Sequence, residues 1–297
     1  MGANLVRRLL SDGHEAHVLL RPEHQPWRLQ EIVAQLHIHP VDLTDQQNVR
    51  QSVQQIRPDW VFHLAAYGAY PTQTGFARMV DINLMGTVSI LDACAEAGVE
   101  AFIYTGSSSE YGYKDHPAQE DEIIEPNSHY AITKASATHY LQFAARKTGI
   151  NAAAVRLYSI YGPYEEPSRL IPTLVAHGLQ GTLPPLVSPN TARDFVYVDD
   201  AVDALISLAQ KLRRPGAIYN LCTGTQTTLA TVVETARRLM SIPVEPVWSS
   251  MEGRSWDTDI WVGSPAAMEE SIGWRATIDF AAGLQRMIDW CRSHPSR

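Results

Sequence analysis

Over its first 160 residues the chain alternates short apolar runs (HEAHVLL, HIHPVDL, DWVFHLAA, AFIYTGS, NAAAVRLYSIYG) with longer segments of helical periodicity. Those longer segments include DQQNVRQSVQQI, FARMVDINLMGTVSILDACAEAG and HYAITKASATHYLQFAARKTG. Strands that are apolar almost throughout need cover on both faces, and helix-length connections make neighbouring strands parallel. The rhythm therefore predicts an α/β fold with a doubly wound parallel sheet between two layers of helices. The chain opens on a helix: Leu5, Val6, Leu9 and Leu10 recur at helical spacing, and Gly13 stands where such a helix stops. The apolar run at 16–20 then reads as an interior strand rather than a first one.

Near Gly162-Pro163 this rhythm breaks, and proline- and glycine-rich connections (GPYEEPSRLIP, GTLPPLVSPN) take over. Short strands at RDFVYV and AIYNLC, with helices at about 200–210, 229–240 and 280–291, predict a smaller mixed α/β lobe. Residues 1–160 and 161–297 are expected to form two interleaved lobes with the ligand site in the cleft between them. A formal net charge of −8 without any Lys/Arg block argues against nucleic acid and for a small-molecule partner. Cys94, Cys222 and Cys291 are odd in number and far apart, with no C-x-x-C spacing. Neither a disulfide framework nor a metal site is expected, and a reducing cytoplasm is. No apolar run approaches the ~20 residues of a membrane span, and the start has no signal-peptide pattern.

Chemistry concentrates in YTGSSSEYG and, after a polar loop, HYAITK. Tyr130 and Lys134 are four apart on a predicted helix, which sets phenol and ammonium on one face about a turn from each other. A nearby ammonium favours the phenolate and brings the tyrosine toward proton exchange with a substrate oxygen. Ser107, at the end of the preceding strand, is placed to hydrogen-bond the same oxygen. Both elements reach the carboxyl ends of parallel strands, where such sheets bind ligands.

In these residues the chain resembles the extended short-chain dehydrogenase/reductase superfamily, in its NAD(P)-dependent nucleotide-sugar epimerase/dehydratase branch. The likeness runs from Gly2 to the end of the chain through VDLTD, VFHLAA, DINLMGT, GSSSEYG, YAITK, RLYSIYGP, RDFVYVDD and IYNLCTG. It implies a Rossmann-type dinucleotide-binding domain over 1–160 and a nucleotide-sugar-binding lobe over 161–297. By the resemblance Ser107, Tyr130 and Lys134 fall on the catalytic set, with Tyr130 and Lys134 also beside the cofactor. Asp42 and Leu43 fall on the adenine-contacting turn, Leu64, Ala65 and Ala66 on the loop beside the cofactor phosphates, and Asn83 on the asparagine that supports the site. Ser108, Arg193 and Arg254 fall on the substrate side, where a guanidinium fork suits a diphosphate. Three plainer readings stand beside these: Asp42 as a helix cap, Asn83 as a satisfied interior amide, and His63 as a packed strand residue.

The resemblance also explains the opening helix. The family's first strand ends in G-x-x-G-x-x-G, and Gly2 fits the last of those glycines, so the first strand and two phosphate-approaching glycines are not in this sequence. Met1 is therefore expected to be an internal or mis-assigned start, or the mark of a truncated chain. A chain that does begin there is expected to show poor cofactor binding and a gap or rearranged pairing in mid-sheet. For the reaction, Ser108 and Ser109 stand where dehydratases of this kind usually carry an acidic pair, although Glu110 follows one position later. The second strand ends VLLR, with Leu20 where an NAD-binding site has an acid and Arg21 suited to the 2′-phosphate of NADP; a merely solvated Arg21 is the alternative. GSSSEYG looks like the motif of synthases that make CDP-linked 3,6-dideoxyhexoses by 4-keto reduction. Reduction of an NDP-4-keto-6-deoxyhexose is the leading expectation, with a 4-epimerase and a catalytically silent dinucleotide-binding protein as alternatives. The long helices at about 76–97 and 130–147, apolar on more than one face, pair into a homodimer in relatives, and the same is expected here.

Overall fold

The computed structural model describes residues 1–70, 72–253 and 258–294. In chain order the strands are β1 (His17–Leu20), β2 (His37–Pro40), β3 (Trp60–His63), β4 (Ala101–Ser107), β5 (Ala152–Leu157), β6 (Ser159–Tyr161), β7 (Ala192–Tyr197), β8 (Ala217–Leu221) and β9 (Gln226–Thr228). The α-helices are α1 (Gly2–Ser11), α2 (Gln46–Ile56), α3 (Phe76–Met79), α4 (Gly86–Ala97), α5 (His129–Thr148), α6 (Leu170–Gly178), α7 (Val198–Lys211), α8 (Leu229–Met240), α9 (Ala266–Ile272) and α10 (Phe280–Ser293). A π-helical stretch, Val80–Met85, joins α3 to α4 without a break.

The predicted parallel sheet is present. β3, β4, β5 and β8 pair side by side in that order, all parallel. Along β4 the alternation is complete: Phe102 and Tyr104 pack on one face with Val49, Leu91 and Leu141, while Ala101 and Ile103 pack on the other with Leu5, Leu205 and Leu208. Burial on both faces is why the run reads as continuously apolar; each large side chain so covered contributes ~1.5–3 kcal/mol. Side-chain caps start the helices that flank the site. Asp45 accepts from the Asn48 N–H at α2, and Ser128 accepts from the Ala131 N–H at α5.

β1 and β2 form a separate parallel pair, with His17 opposite His37 and Leu20 opposite Pro40. No ladder joins β1 to β3, and side chains of both strands line one cavity. β8 lies within 161–297 and pairs with β5, so the chain returns to the main sheet after building β6 and β7. The proline-rich segment that ends at Pro172 runs into a helix, α6, with Pro172 in the first turn, where a missing N–H breaks no helical bond. Cys94 and Cys222 are buried and Cys291 partly so, all three unpaired. Among the described residues no helix is long and apolar enough to cross a membrane.

Candidate active site

A cleft of about 1580 Å³ runs between the lobes, larger than the ~300–1,000 Å³ that serves one drug-sized ligand. Ser107 and Tyr130 both line it. Ser107 ends β4 and begins a capping box: its hydroxyl accepts from the Ser109 N–H, and Glu110 Oε1 accepts from the Ser107 N–H at 2.9 Å. Tyr130 sits in the first turn of α5 and, like Ser107, lines the cleft, while the Ser107 hydroxyl meets that of Ser109 at 2.8 Å. Burial, and then the charge of Glu110, push the Tyr130 phenol up to about 12, against the opposing pull of Arg169 and Ser107.

Lys134 faces a different ring from the phenol it was expected to meet. Its side chain is 1% exposed, does not line the cleft, and sets Nζ 4.3 Å from the centroid of the Tyr104 ring. Burial brings its amine down to about 8, with Glu110 pulling upward.

Glu110 is also not a free acid beside Ser107. It is fully buried, its Oε2 accepts from Arg156 Nε at 3.0 Å, and it is absent from the cleft wall. Gly106 makes room for it, because a Cβ there would stand 2.5 Å from Glu110 Oε1. On the substrate side, Ser108 Oγ accepts from Trp261 Nε1 at 3.1 Å, and the Arg193 guanidinium lies 5.4 Å from the Trp261 ring. All three residues line the cleft. Trp261 was not foreseen, since no spacing links it to a serine 153 positions earlier. Arg254 lies outside the described residues.

Toward the other end, Gly2, Arg21, Leu43, Leu64, Ala65 and Ala66 line the cleft. The first turn of α1 has no side-chain cap, so its amides face the cleft with the positive end of the helix dipole. Small side chains at 65 and 66 leave that approach open, and these residues fit a dinucleotide pyrophosphate, although only one of the family's three glycines contributes. Asp42 and Asn83 do not line the cleft. The Asp42 carboxylate accepts from both the backbone N–H and the hydroxyl of Thr44, which holds its pKa down, and α2 is capped by Asp45 instead. Asn83 accepts from the Tyr67 N–H and donates to the Tyr67 carbonyl and Thr133 Oγ1. Thr133 in turn donates to the Tyr130 carbonyl. The amide thus ties the loop after β3 to α5 and positions the cleft wall. His63 is a packed strand residue, hydrogen-bonded to Thr87 and brought down to about 3 by burial.

Known proteins are similar to this chain in sequence and fold. The chain is 28% identical over 239 residues to a dTDP-glucose 4,6-dehydratase of Streptomyces antibioticus, covering 80% of this chain and 71% of that one. It is 26% identical over 290 residues to a GDP-6-deoxy-D-mannose reductase of Pseudomonas aeruginosa, covering 94% and 93%. A UDP-glucose 4-epimerase of Thermus thermophilus, solved with NAD, superposes with a TM-score of 0.86 at 26% identity over 98% of this chain and 95% of that one. Residues 1–222 match the model of the NAD dependent epimerase/dehydratase family. With a hydroxyl-bearing strand end facing a helical tyrosine across a Rossmann-type cleft, the chain belongs to that NAD dependent epimerase/dehydratase family.

Proposed function

We infer that the cleft carries out oxidoreduction at C4 of a nucleotide-linked hexose with NADP or NAD, in the net direction of reducing an NDP-4-keto-6-deoxyhexose. The observation that carries this reading is that Ser107 and Tyr130 line one cleft, with serines rather than acids at 108 and 109. When bound, the reduced nicotinamide supplies a hydride to C4. Tyr130 gives the proton that completes the hydroxyl at O4, and the Ser107 hydroxyl donates a hydrogen bond to the same oxygen. A phenol held near 12 is fully protonated at neutral pH, which suits a donor in the reductive direction. Lys134 lies one helical turn away with its buried amine over the Tyr104 ring, a positive charge beneath the site. Arg193 and Trp261 grip the diphosphate end, a guanidinium over an indole beside Ser108.

Dehydration is disfavoured because the carboxylate nearest Ser107 is buried in an ion pair. Epimerisation remains the second reading, favoured by the likeness to the Thermus enzyme. Exposed Phe76, Met85, Ile132 and Phe143 on the helices over 76–97 and 129–148 support a homodimer. Incubation of an NDP-4-keto-6-deoxyhexose with NADPH or NADH tests the function. Stoichiometric loss of reduced cofactor with a 4-hydroxy product marks the reductase. In a parallel incubation with an NDP-hexose that carries a 4-hydroxyl, C4 epimers formed without added cofactor mark the epimerase, and binding without conversion of either substrate marks a silent protein. Tyr130→Phe is expected to abolish turnover while sparing nucleotide-sugar binding; a fully active variant removes the assignment.

A further inference from the structure

The starts of β1 and β2 bring together three imidazoles and a carboxylate to which the reading above gives no role. Parallel register sets His17 opposite His37 and Leu19 opposite His39, so the three rings stand on one face of the two-stranded sheet. The rings stack, with His17 4.6 Å from His37 and 5.2 Å from His39 between centroids. Glu15, two residues before β1, sets Oε1 3.1 Å from Nε2 of both His17 and His37. These three donor atoms all lie within 4.8 Å of one another. A tetrahedral ion with bonds of ~2.0–2.1 Å holds its ligand atoms about 3.3–3.4 Å apart, close to both 3.1 Å separations. His17 Nδ1 lies 3.0 Å from His39 Nε2. A proton on Nδ1 shared with His39 leaves Nε2 unprotonated beside Glu15 Oε1 at 3.1 Å, the outer-partner arrangement that orients ligating histidines.

We propose that Glu15, His17 and His37 form a binding site for a divalent transition-metal ion of the Zn²⁺ type, with His39 orienting His17. Two imidazoles and one carboxylate suit Zn²⁺, Ni²⁺ or Cu²⁺ rather than the oxygen-seeking Mg²⁺ and Ca²⁺. Solvent reaches the site through Glu15 and His37, whose side chains are 69% and 57% exposed. The ion cross-links β1 to β2, the pair that shares no ladder with β3 and whose far ends lead to Arg21 and Leu43. Cysteine spacing gives no hint of such a site, because its ligands come from HEAH and HIH segments that meet only through strand pairing.

The test uses tag-free protein stripped of metal and titrated with Zn²⁺ against a chromophoric chelator. One ion per chain is expected, with affinity at least ~10-fold weaker in His17→Gln, His37→Gln and Glu15→Gln. His39→Gln is expected to weaken binding without changing the stoichiometry. His116→Gln, on a separate His–carboxylate cluster with Asp115 and Glu122, leaves it unchanged. Zn²⁺ raises Tm of the parent chain but not of the His17→Gln/His37→Gln double variant, which melts with the parent in excess chelator. Absence of stoichiometric binding at about 100 µM Zn²⁺, or binding that survives undiminished in the double variant, overturns the proposal.

Discussion

Glu110→Gln separates the hydrogen bond at the site from the charge beneath it. The new amide oxygen still accepts from the Ser107 N–H, as Glu110 Oε1 does at 2.9 Å, but Arg156 loses the carboxylate 3.0 Å from its Nε. With exposures of 2% for Arg156 and 0% for Glu110, water cannot replace the missing partner. The guanidinium keeps the Glu120 carbonyl at 3.2 Å and the face of Tyr111 at 4.3 Å, with no carboxylate in an ion pair among the described residues. Stranding one member of a buried pair costs about 3–5 kcal/mol. With an unfolding entropy of ~2.1 cal/mol/K per residue, that lowers Tm by about 5–8 °C in a chain of 297 residues. Glu96→Gln is the control, because Glu96 meets Arg50 at 2.7 Å with both side chains about half exposed. Exposed pairs contribute ~0–1 kcal/mol, so Tm is expected to move by less than about 2 °C. Pairing Glu110→Gln with Arg156→Met removes the stranded charge and is expected to recover part of the loss. Calorimetry at pH 7 compares all three. A Glu110→Gln shift no larger than that of Glu96→Gln, or a double variant below the single one, would refute the argument.

Four further outcomes follow from the same geometry. Lys134 titrates near 8 in the fold against 10.5 for a free lysine, so between those values the unfolded chain binds the extra proton and stability rises with pH; below 8 the full penalty, roughly 3 kcal/mol, is present. Lys134→Met is therefore expected to raise Tm at pH 7, flatten the rise from pH 8 to 10.5 and abolish turnover; unfolding across that pH range checks the slope. Trp261→Ala removes the donor to Ser108 and the ring under Arg193, and is expected to raise KM for the nucleotide sugar about 10-fold or more with a smaller change in kcat. Arg21→Gln is expected to cut kcat/KM with NADPH at least ~10-fold while leaving NADH within about 3-fold; equal losses exclude a 2′-phosphate contact. Phe143→Asp, on the exposed stripe of α5, is expected to shift a dimer to monomer in sedimentation while keeping the far-ultraviolet spectrum; an unchanged mass locates the interface elsewhere.

What the sequence disclosed follows from which forces are local. The β4 and β5 runs are buried on both faces, so their apolar continuity and the helices between them spell out the parallel sheet directly. Ser107 and Tyr130 were legible because a strand end and a helix start fix their placement through short-range geometry, and the structure brings both to one cleft. The direction of the Lys134 side chain was not legible. Four residues along a helix brings two side chains to one face, but whether the amine meets the phenol or Tyr104 depends on what a neighbouring strand presents. Glu110 shows the same limit in reverse: as a letter beside three serines it resembles a catalytic acid, and only Arg156, 46 positions away, turns it into a buried counter-charge. Trp261 reaches Ser108 across 153 residues through a packing of lobes that no periodicity encodes. The same distinction separates the two roles weighed for Asn83. Its residue type fits either a ligand contact or an interior amide, and the side chain is buried with three hydrogen bonds to Tyr67 and Thr133. Because those bonds end on the loop after β3 and on α5, the amide holds two walls of the cleft at a fixed distance, a constraint set by residues 16 and 50 positions away rather than by its own residue type.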